Sequence, residues 1–149
     1  MKQPKEMRIL LVEDNPDDVE LTLKVFSKYN IINQIIVARD GEEALEILFN
    51  SRRGVSEEER PDLILLDLKL PKIDGLEVLR QIKGHPRTQP IPVVILTTSK
   101  EERDLMKSYK LGANSYIRKP VNFNNFIEVI RQLGLYWLML NEAPPKEKE

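Results

Sequence analysis

The stretch from Pro61 to Pro71 constrains the fold more than any other part of the chain. Four consecutive apolar residues, Leu63–Leu66, lead directly to the carboxylate of Asp67. A short apolar run of this kind is typical of a strand that is buried on both faces, as in parallel sheets. Open α/β sheets bind ligands at the carboxyl ends of their strands, where Asp67 stands. Taken alone, Asp67 is more simply explained as a turn residue, because aspartate is common in turns.

Two more continuous apolar runs predict buried strands, at Ile9–Val12 and at Val93–Leu96. Each is followed by polar side chains, which are Glu13 and Asp14 in the first case and Thr97 in the second. Two shorter or more polar strands are predicted at 31–38 and 115–118, and Lys119 follows the latter.

Helix signals separate all five predicted strands. Asn15 is a predicted N-cap with Pro16 at the first helical position, and Asp17 and Asp18 suit the positive end of the helix dipole. In this first helix, we expect Val19, Leu23 and Phe26 to face the core. Asp40 with Glu43, and Ser99 with Glu102, match the capping-box pattern. The predicted helices span 16–29, 41–50, 75–83, 100–111 and 123 onwards.

The alternation of strand and helix predicts parallel strands with helices on both faces. The first, third and fourth strands are the most apolar and take the centre of the sheet. The predicted fold is therefore a flavodoxin-like, doubly wound (βα)5 sheet with strand order 2-1-3-4-5.

Composition limits the function further. The chain has 149 residues, of which 41% are apolar and 32% charged, which predicts one globular domain. A net charge of −1 predicts no general attraction to nucleic acid, and the absence of cysteine excludes disulfides and thiol chemistry. No secretory signal or apolar run of about 18 residues is present, so we expect a cytoplasmic protein without membrane contact. The domain is expected over 1–142, with a disordered Pro-, Lys- and Glu-rich tail at 143–149.

The predicted topology gathers the strand ends at one edge of the sheet. Crowded carboxylates repel each other, and a hard divalent cation such as Mg²⁺ would relieve that repulsion through oxygen ligands. One aspartyl oxygen could then act as a nucleophile toward a phosphoryl group, whose oxygens need a cation and hydrogen-bond donors. The residues predicted to meet there are Glu13, Asp14, Asp67, Thr97 and Lys119.

These motifs together resemble a response-regulator receiver domain of two-component signalling. The resemblance is carried by Leu11–Asn15, Leu65–Gly75, Val94–Ser99 and Ser115–Pro120, and it extends over about 7–140. Each motif alone is weak evidence, but the four in this order and spacing are specific.

The resemblance implies that Asp67 accepts phosphate from the phosphohistidine of a sensor histidine kinase. It also implies that Asp14, Asp67 and the backbone carbonyl of Lys69 bind Mg²⁺ or Mn²⁺, with Glu13 contributing through water. Many relatives carry aspartate at the position of Glu13, and the longer arm is tolerable behind a water molecule. Such a protein is a phosphoacceptor with slow autodephosphorylation and is not a turnover enzyme.

The resemblance gives the remaining site residues roles around the phosphoryl group. Thr97 and Lys119 would hold the phosphoryl oxygens, and Tyr116 would turn inward as a switch when Thr97 moves. A plain strand aromatic is also compatible with Tyr116, because strands favour aromatic residues. The bond between Lys119 and Pro120 would be cis, which an X–Pro bond tolerates.

Rival functions fit the residues less well. A phosphatase of the haloacid dehalogenase type needs a second acid two residues after the nucleophile, where this chain has Lys69. A flavodoxin would bind phosphate in the loop 13–18, which is acidic here and would repel it. A receiver that binds partners without phosphorylation would be expected to have lost Asp67 or Lys119.

The expected output is a partner protein, because few residues follow the fifth helix. We expect a downstream protein target, or a second copy in a homodimer, to bind the surface of the fourth helix, fifth strand and fifth helix. The apolar segment 135–140 extends that surface. The chain is also similar to single-domain regulators that are paired with bacterial phytochrome kinases.

Overall fold

A computed structural model describes residues 7–28, 33–49, 60–98, 102–119 and 122–133. Five strands and five helices alternate along these ranges. They are β1 (Met7–Val12), α1 (Pro16–Lys28), β2 (Asn33–Ala38), α2 (Gly41–Phe49), β3 (Leu63–Asp67), α3 (Gly75–Lys83), β4 (Val93–Thr97), α4 (Glu102–Lys110), β5 (Ser115–Arg118) and α5 (Phe123–Gln132).

The strands form one parallel sheet in the order β2-β1-β3-β4-β5, which confirms the predicted topology. Every residue of β3 and β4 is buried, as expected for central strands. Side chains of β3 alternate between two cores: Leu63 and Leu65 pack with α1 and α5, whereas Ile64 and Leu66 pack with α2 and α3. Burial of each such side chain stabilises the fold by about 2 kcal/mol.

The predicted caps open their helices. The side chain of Asn15 accepts from the backbone N–H of Asp17 at 2.8 Å, and that of Asp40 accepts from Glu43 at 2.7 Å. The carboxylate of Glu43 accepts in return from the backbone of Arg39, one residue before the expected partner. These bonds satisfy N–H groups that no helical carbonyl can reach.

One expectation about α1 is wrong. Val19 and Phe26 are buried, but Leu23 is 37% exposed, and Thr22 takes the inward position. The hydroxyl of Thr22 donates to the carbonyl of Asp18 at 2.9 Å, so the buried polar group costs little. Thr22 follows Val19 by three residues and Leu23 follows it by four, so either can share the buried face of a helix. The hydrogen bond to its own helix favours Thr22 on that face.

Several predicted features lie outside the described residues. They are residues 31–32 of the second strand, the capping Ser99, the peptide bond to Pro120, the apolar segment 135–140 and the tail 143–149. Among the described residues, no helix has the length and apolar character that crossing a membrane requires.

Candidate functional site

Three carboxylates meet at the carboxyl edge of the sheet. Val12 pairs with Leu66, so Glu13 and Asp67 each lie one residue beyond neighbouring positions. Glu13, Asp14 and Asp67 offer oxygen atoms that all lie within 4.8 Å of one another. Glu13 and Asp67 are buried, with only 1% and 4% exposed, while Asp14 is exposed. The arrangement places two buried acids beneath one that faces solvent.

The ammonium of Lys119 lies among these acids. Its Nζ is 2.5 Å from Glu13 Oε1, 3.2 Å from Asp67 Oδ2 and 2.9 Å from Asp18 Oδ2. The side chain is 8% exposed, and the backbone N–H of Lys119 donates to the carbonyl of Thr97 at 2.8 Å. The end of β4 therefore fixes the backbone from which this cation reaches the acids.

The pKa values show how the acids and the cation affect each other. Burial raises the pKa of Glu13 to about 7, against the hydrogen bond from Lys119 and with the help of the charge on Asp67. Burial alone would lower the pKa of Lys119, but its hydrogen bonds to Glu13 and Asp18 and the charge of Asp67 outweigh burial and raise it. One permanent cation thus serves several acids, which leaves an excess of negative charge.

The loop after β3 folds back over Asp67. The backbone N–H of Lys69 donates to Asp67 Oδ1 at 3.4 Å, while the Lys69 side chain is exposed. Gly75 starts α3 directly against the strand end, and a Cβ there would lie 2.3 Å from the carbonyl oxygen of Asp67. Only glycine allows this approach, which keeps the loop 68–74 short and close to the acids.

Thr97 is positioned by β4 and Tyr116 by β5. Thr97 is fully buried and ends β4, one residue beyond Leu96, the pairing partner of Asp67. Tyr116 is half-buried in β5 and packs against the core formed with α2 and α3. The position of Thr97 suits a contact with a group on Asp67, whereas the contacts of Tyr116 leave its role as a switch a prediction.

Asp18 is a site residue that the sequence analysis missed. Its carboxylate contacts Lys119 from the first turn of α1, where the sequence accounts for its charge by the helix dipole alone. The one available signal was its spacing: Asp18 follows Asp14 by four residues, which places both near the same edge once Asn15 starts the helix.

Comparison with known proteins identifies the family. Residues 9–131 match the family model described as the response regulator receiver domain. The chain belongs to the response regulator receiver family. The receiver family is a family of phosphoryl-accepting signalling domains rather than of classical enzymes.

Similar receivers cover nearly the whole chain. The response regulator Rcp1 of Synechocystis sp. is 43% identical over 131 residues, which are 87% of this chain and 88% of Rcp1. The Mn²⁺-bound crystal structure of Rcp1 matches with a TM-score of 0.71, 41% identity and coverage of 93% and 99% of the two chains.

Two further solved structures are response regulators of phytochromes. The bacteriophytochrome response regulator AtBRR is 50% identical, with a TM-score of 0.77 over 93% of this chain and all of AtBRR. The phosphorylated cyanobacterial phytochrome response regulator RcpA is 38% identical, with a TM-score of 0.75 over 95% of this chain and all of RcpA.

Proposed function

We propose that this receiver takes a phosphoryl group onto Asp67 from the phosphohistidine of a sensor histidine kinase. A carboxylate oxygen of Asp67 attacks phosphorus in line, the bond to the histidine nitrogen breaks, and the imidazole leaves with the electron pair. The observation that carries the proposal is the buried carboxylate of Asp67 with the Lys119 ammonium 3.2 Å from it. The phosphorylated structure of the related RcpA supports this chemistry.

Glu13, Asp14, Asp67 and the carbonyl of Lys69 would hold a divalent cation, for which we propose Mg²⁺, with Mn²⁺ as an alternative. The donors fit, because three carboxylates converge within 4.8 Å and burial leaves Glu13 with a raised pKa that a cation would relieve. The Mn²⁺-bound form of the related Rcp1 supports the binding of a divalent cation. Such a cation would supply positive charge against the repulsion between the acids and the incoming phosphoryl group.

Lys119 and Thr97 would hold the phosphoryl oxygens that the cation does not reach. Lys119 already contacts Asp67, so an ammonium N–H can pass to a phosphoryl oxygen without a large movement. Thr97 ends the neighbouring strand and would provide a hydroxyl. Movement of Thr97 would open space that Tyr116 fills, which would carry the signal to the surface of β5.

We expect slow loss of the phosphoryl group because of the residue two positions after Asp67. A phosphatase of the haloacid dehalogenase type carries a general acid there, whereas this chain has Lys69. The protein would act as a phosphoacceptor with a finite lifetime rather than as a turnover phosphatase.

The proposed input is a phytochrome-type histidine kinase, and the proposed output is a protein. Regulators named for phytochromes match most of this chain, which supports the input. On α4, Met106 and Tyr109 are 64% and 48% exposed, which supports docking of a downstream protein or a second copy on the face formed by α4, β5 and α5. We propose one cytoplasmic receiver domain over 1–142 without nucleic-acid contact.

Incubation with acetyl phosphate and Mg²⁺, read by intact mass, tests the proposal. The wild type should gain one phosphoryl group, and Asp67→Asn should gain none. Asp62→Asn is a matched control, because Asp62 lies just before the amino end of β3, away from Asp67. Its carboxylate accepts a hydrogen bond from the backbone N–H of Arg8. It should be phosphorylated like the wild type. An unmodified wild type, or equal labelling of Asp67→Asn, would overturn the assignment.

A further inference from the structure

Asp18 is the unexpected neighbour of the Lys119 ammonium. It lies in the first turn of α1, with its carboxylate 2.9 Å from Nζ. Its side chain is 32% exposed, against 2% for Glu13 and 6% for Asp67, the other two acids that contact Nζ. Asp18 is outside the group of acids whose oxygen atoms converge as candidate metal ligands among the described residues. Asp18 therefore contacts the Lys119 ammonium without belonging to the group of candidate metal ligands.

The number of donors on Lys119 is limiting. An ammonium has three N–H groups, and here three carboxylates, from Glu13, Asp18 and Asp67, surround it. A phosphoryl group on Asp67 would bring further oxygen acceptors to the same place. Lys119 can donate to them only by giving up, or sharing, a hydrogen bond that a carboxylate now holds.

We infer that Asp18 competes with the phosphoryl group for the Lys119 ammonium and thereby weakens the hold of the site on that group. The inference rests on the function proposed for Asp67 and deepens it. Asp18 is a positioning residue in this scheme, because it acts on the phosphoryl group only through Lys119.

Asp18 is better suited to this competition than Glu13. Glu13 is buried, and its second oxygen accepts from the backbone N–H of Asn15 at 3.2 Å, so it cannot turn away to water. Asp18 is partly exposed, and water can replace Lys119 at its carboxylate when the ammonium moves. The contact is therefore one that can be lost and regained at low cost.

The neighbouring Asp17 provides a matched control. It occupies the same first turn of α1 and carries the same charge, but it is exposed and its backbone N–H donates to Asn15. No described ion pair joins Asp17 to Lys119. Asp17→Asn therefore removes one negative charge from the same helix end and leaves the cation untouched.

Calorimetric titration with beryllofluoride, a phosphoryl mimic, tests the inference at saturating Mg²⁺. Saturation removes any effect of the lost charge on metal uptake. We expect Asp18→Asn and Asp18→Ala to bind the mimic about fivefold tighter than wild type, since a partly exposed ion pair has a modest net value. Asp17→Asn should remain within about twofold of wild type. Asp18→Glu, which restores the carboxylate, should return the affinity to that of wild type.

The outcomes separate two failures. A wild type that does not bind beryllofluoride with Mg²⁺ would contradict the proposed function of Asp67 itself. If the wild type binds, then unchanged or weaker binding by both Asp18→Asn and Asp18→Ala overturns this inference alone. An equal gain for Asp17→Asn, or for Asp18→Glu, would also overturn it, because the effect would then not depend on a carboxylate beside Lys119.

Discussion

Two enclosed lysines lie at opposite edges of the same sheet and have opposite surroundings. Lys83 ends α3, and its Nζ donates to the carbonyl oxygens of Gln89 at 3.0 Å and Ile91 at 2.8 Å, near the amino end of β4. Lys119 follows β5 and contacts the carboxylates of Glu13, Asp18 and Asp67. Burial lowers the pKa of Lys83, whereas the pKa of Lys119 is raised because its acid partners outweigh burial.

The difference separates a structural site from a functional one. Neutral carbonyls satisfy the N–H groups of Lys83 and join a helix end to a loop without adding charge. At the other edge, the acids outnumber the cation, which costs stability unless a ligand restores the balance. Titratable groups with strongly shifted pKa values gather where chemistry is done, and this edge fits that rule.

The largest expected effect is the loss of stability that the excess of acids causes as the pH rises. The pKa of Glu13 rises from 4.5 to about 7 on folding, so the folded protein holds the proton more tightly between those values. The contribution of Glu13 to the free energy of unfolding is fully present below pH 4.5 and is lost as the pH rises through 7. The free energy of unfolding should fall by about 3 kcal/mol over this range. Urea unfolding with a chelator should show this fall for wild type and not for Glu13→Gln.

Glu20→Gln is the control for that measurement. Glu20 pairs with Lys24 on the exposed side of α1, so its loss should leave the pH profile unchanged. A parallel profile for wild type and Glu13→Gln would mean that the acids at this edge do not strain the metal-free protein.

The next test exchanges each lysine for methionine and measures beryllofluoride binding with saturating Mg²⁺. Lys119→Met should weaken binding about tenfold to a hundredfold, because one charge-assisted hydrogen bond to the phosphoryl mimic is lost. Lys83→Met should bind like wild type, since Lys83 contacts the opposite edge of the sheet. Equal weakening by both substitutions would erase the proposed difference between the two edges.

The smallest expected effect is on the stability of the edge of the sheet where Lys83 lies. Lys83→Met leaves the carbonyls of Gln89 and Ile91 without this donor, and we expect a loss of about 1–2 kcal/mol in the free energy of unfolding. Urea unfolding at pH 7 measures it. A neutral result would show that water replaces the ammonium at those carbonyls without penalty.

The central strands and their order could be predicted because burial on both faces leaves an unambiguous mark in the sequence. Leu63–Leu66 and Val93–Leu96 have no polar residue that could face water, and their short length favours a buried strand over a buried helix. The strand order predicted from these runs places Glu13, Asp67 and Lys119 at one edge of the sheet.

Contacts made across the fold could not be predicted in the same way. Asp18 contacts a lysine 101 residues away, and local sequence gave its charge a sufficient explanation at the helix terminus. Thr22 is buried in α1 in place of Leu23, because a hydroxyl that donates to a carbonyl of its own helix tolerates burial. Both outcomes depend on hydrogen bonds that side-chain type and periodicity do not encode.

The most direct test of the central claim is to find which residue carries the phosphoryl group. The protein would be treated with acetyl phosphate and Mg²⁺, reduced with borohydride to mark the acyl phosphate, and digested for peptide mass spectrometry. We expect a single mark, on Asp67, that disappears when the metal is chelated. A mark on Glu13, Asp14 or Asp18 instead, or equal labelling without metal, would contradict it.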